Sequence, residues 1–248
     1  MVCTGDTERQ AILRDEAMRK SKKARKNRYV SSINALLKSG MKLLDIGCGT
    51  AHIIQELAKC KNSEFIGLDL SAAMLKIAKS NTTSLQNISL IRADGYRLPF
   101  RGHIIDILIN RLAEHSTQEA YQILKTNGFF LEYGLGPHAS EEIAEFFQER
   151  IERSSFFFPR DPKGWKKEAS QHVIEAGFTI LSMKDYMEDR YYEDENELMN
   201  LIEMVPLVKD FDRASDRKTV QELAKKYKKE KGIKIAWHYY VIVATKKG

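Results

Sequence analysis

The sequence predicts an α/β fold on a mostly parallel sheet with helices on both faces. Three observations predict it. Short apolar runs alternate with amphipathic segments through residues 42–133, the pattern of strands joined by crossover helices. The runs are nearly continuous in apolar residues, as in Ile104-Ile105-Asp106-Ile107-Leu108-Ile109, so both faces of the sheet are expected to be covered. The chain has 248 residues, 43% of them hydrophobic and 30% charged, which suits one sizeable core with an elaboration.

The elements follow in order. Residues 8–38 contain no Gly or Pro and are rich in Ala, Arg, Lys and Leu; they predict a helix that Ser39-Gly40 stops. Strands are expected at 42–46, 64–68, 88–91, 104–109 and 129–133. Helices are expected at 51–59, 71–79 and 117–124. Beyond Tyr133, Gly134-Leu135-Gly136-Pro137 reads as a loop. Helices over about 140–153 and 163–176 flank the patch Phe156-Phe157-Phe158-Pro159. Strands at 178–182 and 235–244 complete the sheet, the last rich in aromatic and β-branched residues. The expected organisation is an N-terminal helical segment at 1–39, an α/β domain at 40–184 and 235–248, and a helical cap insertion at 185–234.

Composition narrows the function classes. There is no apolar run of about eighteen residues, so no membrane span is expected. Met1-Val2-Cys3-Thr4-Gly5-Asp6 lacks the apolar core of a signal peptide, so a cytoplasmic location is expected. Cys3, Cys48 and Cys60 have no paired spacing, and neither CxxC nor HExxH occurs; neither a disulfide framework nor a bound metal is expected. The net charge of +6 is uneven. One basic cluster contains Arg19, Lys20, Lys22, Lys23, Arg25, Lys26 and Arg28. A second contains Lys225, Lys226, Lys228, Lys229, Lys231 and Lys234. An acidic stretch runs between Glu188 and Glu197. Such clusters can meet phosphate backbones, or simply form solvated helix faces.

The chemistry concentrates at Leu43-Leu44-Asp45-Ile46-Gly47-Cys48-Gly49-Thr50, a strand running into a glycine turn that opens a helix. Glycines let the backbone turn sharply and approach a ligand. Asp69 ends the second strand 20 positions after Gly49, the spacing at which a carboxylate accepts ribose hydroxyls. Two departures argue against a dinucleotide. His52 stands where that fingerprint wants a small residue, and Asp45 would repel a pyrophosphate while suiting a ligand with ammonium and sulfonium groups.

At these residues the sequence resembles the class I S-adenosylmethionine-dependent methyltransferases. Asp45-Ile46-Gly47-Cys48-Gly49-Thr50 resembles their first motif and Gly67-Leu68-Asp69-Leu70-Ser71 their second. Arg92-Ala93-Asp94-Gly95 with Leu98-Pro99-Phe100 resembles the third, Asp106–Arg111 the fourth, and Leu124–Phe130 the fifth, with Thr126-Asn127-Gly128 in place of the usual Lys-x-Gly-Gly turn. The resemblance covers residues 40–134. It implies a Rossmann-like sheet of seven strands with the last antiparallel, and S-adenosyl-L-methionine as cofactor. It further implies that Gly47, Cys48 and Gly49 lie under the methionine and ribose, that Asp45 orients that region, and that Asp69 takes the ribose hydroxyls. Leu70 and Met74 would flank the adenine, Asp94 and Gly95 would bond it, and the Asn110 backbone would face the methionine amino group.

Methyl transfer needs in-line positioning and, for some acceptors, a base. His115 is the candidate catalytic residue because it closely follows the fourth strand; His138, beyond the fifth, is a weaker one. The tetrapeptide after the fourth strand is Asn110-Arg111-Leu112-Ala113, not the Asn/Asp-Pro-Pro-Tyr of amino-nitrogen methylation. The acceptor is expected to meet the helix near Tyr29, the Phe156–Phe158 patch, and Tyr186, Tyr191, Tyr192 and Met204. A small-molecule acceptor is the first expectation. RNA, met through the Arg19–Arg28 cluster, and a non-catalytic S-adenosylmethionine-binding protein are the alternatives.

Overall fold

The computed structural model describes residues 7–22, 28–59, 62–151, 162–205 and 207–248. The expected contributions of Cys3, Lys23, Arg25, Lys26, Cys60 and Phe156–Phe158 lie outside the described residues. The chain divides into two compact units, Met1–Tyr133 with Ser170–Lys184 and Val241–Gly248, and Gly134–Ala169 with Asp185–Tyr240.

In the first unit, helices α1 (Glu8–Lys22) and α2 (Arg28–Leu36) precede strand β1 (Lys42–Ile46). Helix α3 (His52–Ala58), β2 (Glu64–Asp69), α4 (Ala72–Thr82), β3 (Ile88–Arg92), β4 (Ile105–Arg111) and α5 (Thr117–Ile123) follow, and strand β5 (Leu124–Leu135) leaves the unit. β1 pairs in parallel with β2 and β4, β2 with β3, and β4 with β5. The apolar runs dictate this arrangement. Leu43, Leu44, Ile46, Phe65, Leu68, Ile107, Leu108, Ile109, Phe130 and Leu131 are buried from both sides. Each such side chain contributes about 1.5–3 kcal/mol relative to exposure. The helices start where short hydroxyl side chains cap them: Ser71 accepts the Met74 N–H before α4, and Ser116 the Glu119 N–H before α5.

The remaining elements are α6 (Glu141–Phe147), α7 (Trp165–Glu175), β6 (Thr179–Tyr192), α8 (Glu195–Met204), α9 (Arg217–Tyr227), the two-residue β7 (Lys228–Lys229) and β8 (Gly232–Thr245). The strand order is β3-β2-β1-β4-β5-β8-β6, with β7 beside β8. β8 is antiparallel to β5: Lys246 N–H donates to Gly128 O near one end, and Gly136 N–H donates to His238 O near the other. The sheet is therefore the expected mostly parallel one with an antiparallel last strand.

Several boundaries move. β5 starts at Leu124 rather than Phe129 and runs to Leu135, into the stretch read as a loop. β6 runs ten residues past the expected end at Ser182, and β8 starts at Gly232 rather than Ile235. β6 is the edge of the sheet, where charged outward residues are normal because they prevent edge pairing. Its burial alternates along Tyr186–Tyr192. Within the second unit, Arg190 lies over the Trp237 and Tyr239 rings, 5.7 and 5.3 Å from their centroids. An acidic, aromatic stretch that reads as helical insertion is thus partly an edge strand. No helix among the described residues is long and apolar enough to cross a membrane.

Candidate functional site

The glycine turn after β1 is held by the end of β2. Gly47 and Cys48 N–H groups both point at Leu68 O, at 2.7 and 3.0 Å. Asp69 takes the next donors: Oδ2 accepts from Gly49 N–H and Oδ1 from Ser71 N–H, each at 2.8 Å. These two bonds aim the Asp69 carboxylate. Gly47 is required here. Its φ is +71°, and a Cβ would stand 2.0 Å from the Ala113 Cβ. Gly67 is required for a different reason, since a Cβ there would press into Cys48 Sγ, Ile54 and Leu90, each at 2.9 Å. A Cβ on Gly49, by contrast, would find nothing within 4 Å. The turn therefore has an open side at Gly49 and a packed side at Gly47.

Asp45 sits at the end of β1, opposite Gly67 and Ile109, and is almost fully buried. Burial, with the Asp69 charge adding to it and Arg111 opposing, pushes its carboxyl up to about 8. Burial likewise raises the Cys48 thiol well above its usual range, so Cys48 is a packing residue and not a nucleophile. Leu70, next to Asp69, is 40% exposed, and its carbonyl accepts from the Arg92 guanidinium at 3.1 Å. Met74 is fully enclosed. Asp94 closes a turn through its Oδ1 and the Tyr96 N–H, 2.9 Å. Gly95 is buried, and its carbonyl accepts the Ser116 N–H at 3.0 Å.

Asn110 ties these pieces together. Its amide donates to Ile46 O at 3.2 Å and to Ala113 O at 2.9 Å, which lays the loop after β4 across the glycine turn. Its carbonyl accepts the Tyr29 hydroxyl at 2.9 Å. Tyr29 itself is fully buried against Tyr133, so it packs the core instead of presenting an acceptor surface.

Sequence reasoning brings together Asp45, Gly47, Cys48, Gly49, Asp69, Leu70, Asp94, Gly95 and Asn110 at the carboxyl ends of β1, β2, β3 and β4. It does not anticipate what His52 does. His52 Nε2 meets Asp15 Oδ1 at 2.8 Å, Asp15 also bonds Asn81 at 2.7 Å and Arg19 at 2.6 Å, and Asn81 donates to Thr50 O at 2.9 Å. The side chain that breaks the dinucleotide pattern is therefore the anchor that docks α1 beside the turn.

His115 is also more enclosed than a base at a pocket mouth. Its imidazole is fully buried, and burial lowers its pKa. Its Nδ1 lies 3.2 Å from Ala113 O. Glu132 Oε2 stands 3.8 Å from His115 Nε2 and 2.8 Å from His172 Nε2. Burial disfavours the charged form of His172, but the bond to Glu132 outweighs it and its pKa rises. Spacing along the chain predicts no metal, yet the fold gathers these three residues so that their ligand atoms lie within 4.8 Å of one another. The one legible signal is Glu132, an acid inside the apolar run Phe129-Phe130-Leu131-Glu132-Tyr133. His138 pairs with Glu141 at 2.7 Å on a half-exposed surface of the second unit.

The aromatics expected to meet the acceptor mostly pack within the second unit. Tyr186 lies against Tyr239, and the Tyr191 ring lies under the Lys231 ammonium. In the second basic cluster Lys226 pairs with Glu145, Lys228 donates to Glu193 O and Lys234 pairs with Asp189.

Residues 43–128 match the family described as a methyltransferase domain. A demethylmenaquinone methyltransferase of Staphylococcus aureus is 38% identical over 72 residues, 28% of this chain and 30% of that protein. A protein of Danio rerio named arginine-hydroxylase NDUFAF5, mitochondrial, is 26% identical over 149 residues, 56% of this chain and 46% of its own length. The chain thus spans less than half the length of both curated relatives. Among solved structures, the YcgJ protein of Bacillus subtilis superposes with a TM-score of 0.63 at 17% identity, over 89% of this chain and 99% of that one.

Proposed function

We propose that this chain is a class I S-adenosylmethionine-dependent methyltransferase that binds S-adenosylmethionine at the turn after β1 and methylates a small molecule; its match to a methyltransferase domain over residues 43–128 supports the reading. One observation carries the reading: the Asp69 carboxylate, fixed by the Gly49 and Ser71 N–H groups, stands at the open side of the glycine turn. The residues fit the cofactor. Asp69 brings a fixed carboxylate of the kind that accepts ribose hydroxyls, the space over Gly49 admits a ligand, and Leu70 offers an exposed apolar ledge of the kind an adenine covers.

When bound, the cofactor supplies a methyl carbon made electrophilic by its sulfonium, so acceptor attack displaces the thioether directly. The protein's share is placement. Asp69 orients the ribose, Asp94 and Gly95 meet the adenine edge, and Gly47–Gly49 let the backbone lie close along the chain of the ligand. Asp45 provides a counter-charge for ammonium and sulfonium once it ionises. Because Cys48 and Asn110 are held in the packed wall, they act by shaping the turn.

A small acceptor is favoured over RNA because the sequence carries no recognisable RNA-binding module, and Arg19 of the Arg19–Arg28 cluster is held by Asp15 and Asn81. The relative named for demethylmenaquinone methylation points the same way. The test is incubation with methyl-labelled S-adenosylmethionine and fractionated cell extract. Label is expected in a small-molecule fraction. Label in RNA would overturn the acceptor class, and cofactor binding with no label in any fraction would overturn catalysis.

A further inference from the structure

We propose that His115, Glu132 and His172 form a binding site for one divalent transition-metal ion of the zinc and ferrous class. None of the three is a cradle residue, although the loop that carries His115 is bonded to Asn110 and Gly95, and failure of the metal site would leave the cradle reading intact. Three elements of the first unit supply the metal site: the loop after β4, the strand β5 and the helix α7.

The donor set selects the cation. Two imidazole nitrogens and one carboxylate oxygen are borderline ligands that suit zinc or ferrous iron, whereas magnesium and calcium prefer oxygen-only sites. The geometry is close to that of a bound site. Ligands about 2.0–2.2 Å from a tetrahedral ion stand roughly 3.4 Å apart; here Glu132 Oε2 is 3.8 Å from His115 Nε2 and 2.8 Å from His172 Nε2. All three ligand atoms fall within 4.8 Å of one another. An ion would take the place of the proton shared by His172 and Glu132, with Glu132 Oε2 and His172 Nε2 moving about 0.6 Å apart.

The surroundings are those of a ligating histidine. Ala113 O, a pure acceptor 3.2 Å from His115 Nδ1, favours the tautomer with the proton on Nδ1, so Nε2 carries the lone pair; the Thr117 hydroxyl stands 3.4 Å from it and Glu132 Oε2 3.8 Å. Ala113 O is itself held by the Asn110 amide at 2.9 Å, which stiffens that outer shell. Two ligands are buried and the third, His172, has a side chain 38% exposed, which leaves an entry path. Three protein ligands leave at least one position for water or an acceptor oxygen.

The experiment uses the full chain, stripped with a chelator and titrated with Zn²⁺ against a chromophoric chelator, with metal content read by atomic emission. One Zn²⁺ per chain is expected, with a rise in unfolding temperature on binding. His172→Ala should weaken binding by about 100-fold or more, because it removes a direct ligand and outer-shell losses alone reach 10–100-fold. Glu132→Gln should do the same, while His138→Ala should bind as the native chain does. His172 is partly exposed, so its variant tests the site even if Glu132→Gln fails to fold; circular dichroism checks both. Substoichiometric Zn²⁺ in the native chain, or undiminished binding by folded His172→Ala, overturns the proposal and leaves the three residues a hydrogen-bonded cluster only.

Discussion

Replacing Asp69 with Ala removes two contacts at once. The carboxylate accepts from Gly49 and Ser71 N–H, both at 2.8 Å. A hydrogen bond to a charged group is worth about 1.5–3 kcal/mol, and an orphaned buried donor costs about 1–3 kcal/mol. Gly49 lies at a partly exposed turn, where water recovers part of the loss, while Ser71 is buried at a helix start, so about 2–3 kcal/mol of stability is expected to go. The ligand loses separately, because the ribose hydroxyls lose their acceptor and the turn loses its aim. Affinity for S-adenosylmethionine should fall by about 1–3 kcal/mol, roughly 5- to 150-fold. Urea unfolding measures the first quantity and isothermal calorimetry the second. Asp69→Asn, which keeps one acceptor oxygen, should fall between Asp69→Ala and the native chain in both. A folded Asp69→Ala protein with native affinity would refute the reasoning, whatever its stability.

The two turn glycines should separate packing from binding. Gly47→Ala carries a left-handed backbone penalty of about 1–2 kcal/mol and a clash with Ala113 worth about 1–3 kcal/mol more, so a clearly lower urea midpoint is expected. Gly49→Ala meets no clash and should cost about 1–2 kcal/mol of backbone strain in stability while blocking the open side, seen as weakened S-adenosylmethionine binding by calorimetry. For Asp45, a folded pKa raised to about 8 means the folded state holds the extra proton between pH 4 and 8, so its contribution to stability falls as pH rises across that window. Ionisation favours a cationic ligand, so S-adenosylmethionine affinity should rise toward pH 8–9, and Asp45→Asn should flatten that rise in a pH-dependent titration. Asp216 behaves oppositely. The hydrogen bond from Arg150 holds its carboxyl below the usual range, so it stabilises above about pH 4 and that contribution is lost as pH falls through the depressed value. The gap in urea midpoint between the native chain and Arg150→Met should stay constant near neutrality and close in acid; a gap that persists at pH 2 would contradict the assignment.

Much of the first unit is legible because burial on both faces writes itself as continuous apolar runs. Leu43–Ile46, Phe65–Leu68 and Ile105–Ile109 can be read directly as strands, and their order with the glycine turn and Asp69 yields the site. Where one face meets solvent the signal fades. The extension of β6 through Asp185–Tyr192 alternates charge with aromatics, an edge-strand pattern that resembles an amphipathic insertion. His52 reads as a defect in a known fingerprint until its partner Asp15, 37 residues away, is seen. Of the His115–Glu132–His172 cluster only Glu132 stands out in the sequence, for the same reason, since its members converge only through β5 and α7. Local pattern thus reveals secondary structure, while contacts between distant residues remain for the fold to disclose.

The central claim is that the glycine turn and the Asp69 carboxylate cradle one charged nucleoside. A crystal structure with S-adenosylhomocysteine tests it most directly. The predicted result is the ribose hydroxyls on Asp69, with the adenine beside Leu70 and Asp94. Density for the ligand elsewhere, or a dinucleotide bound across this turn in its place, would contradict it.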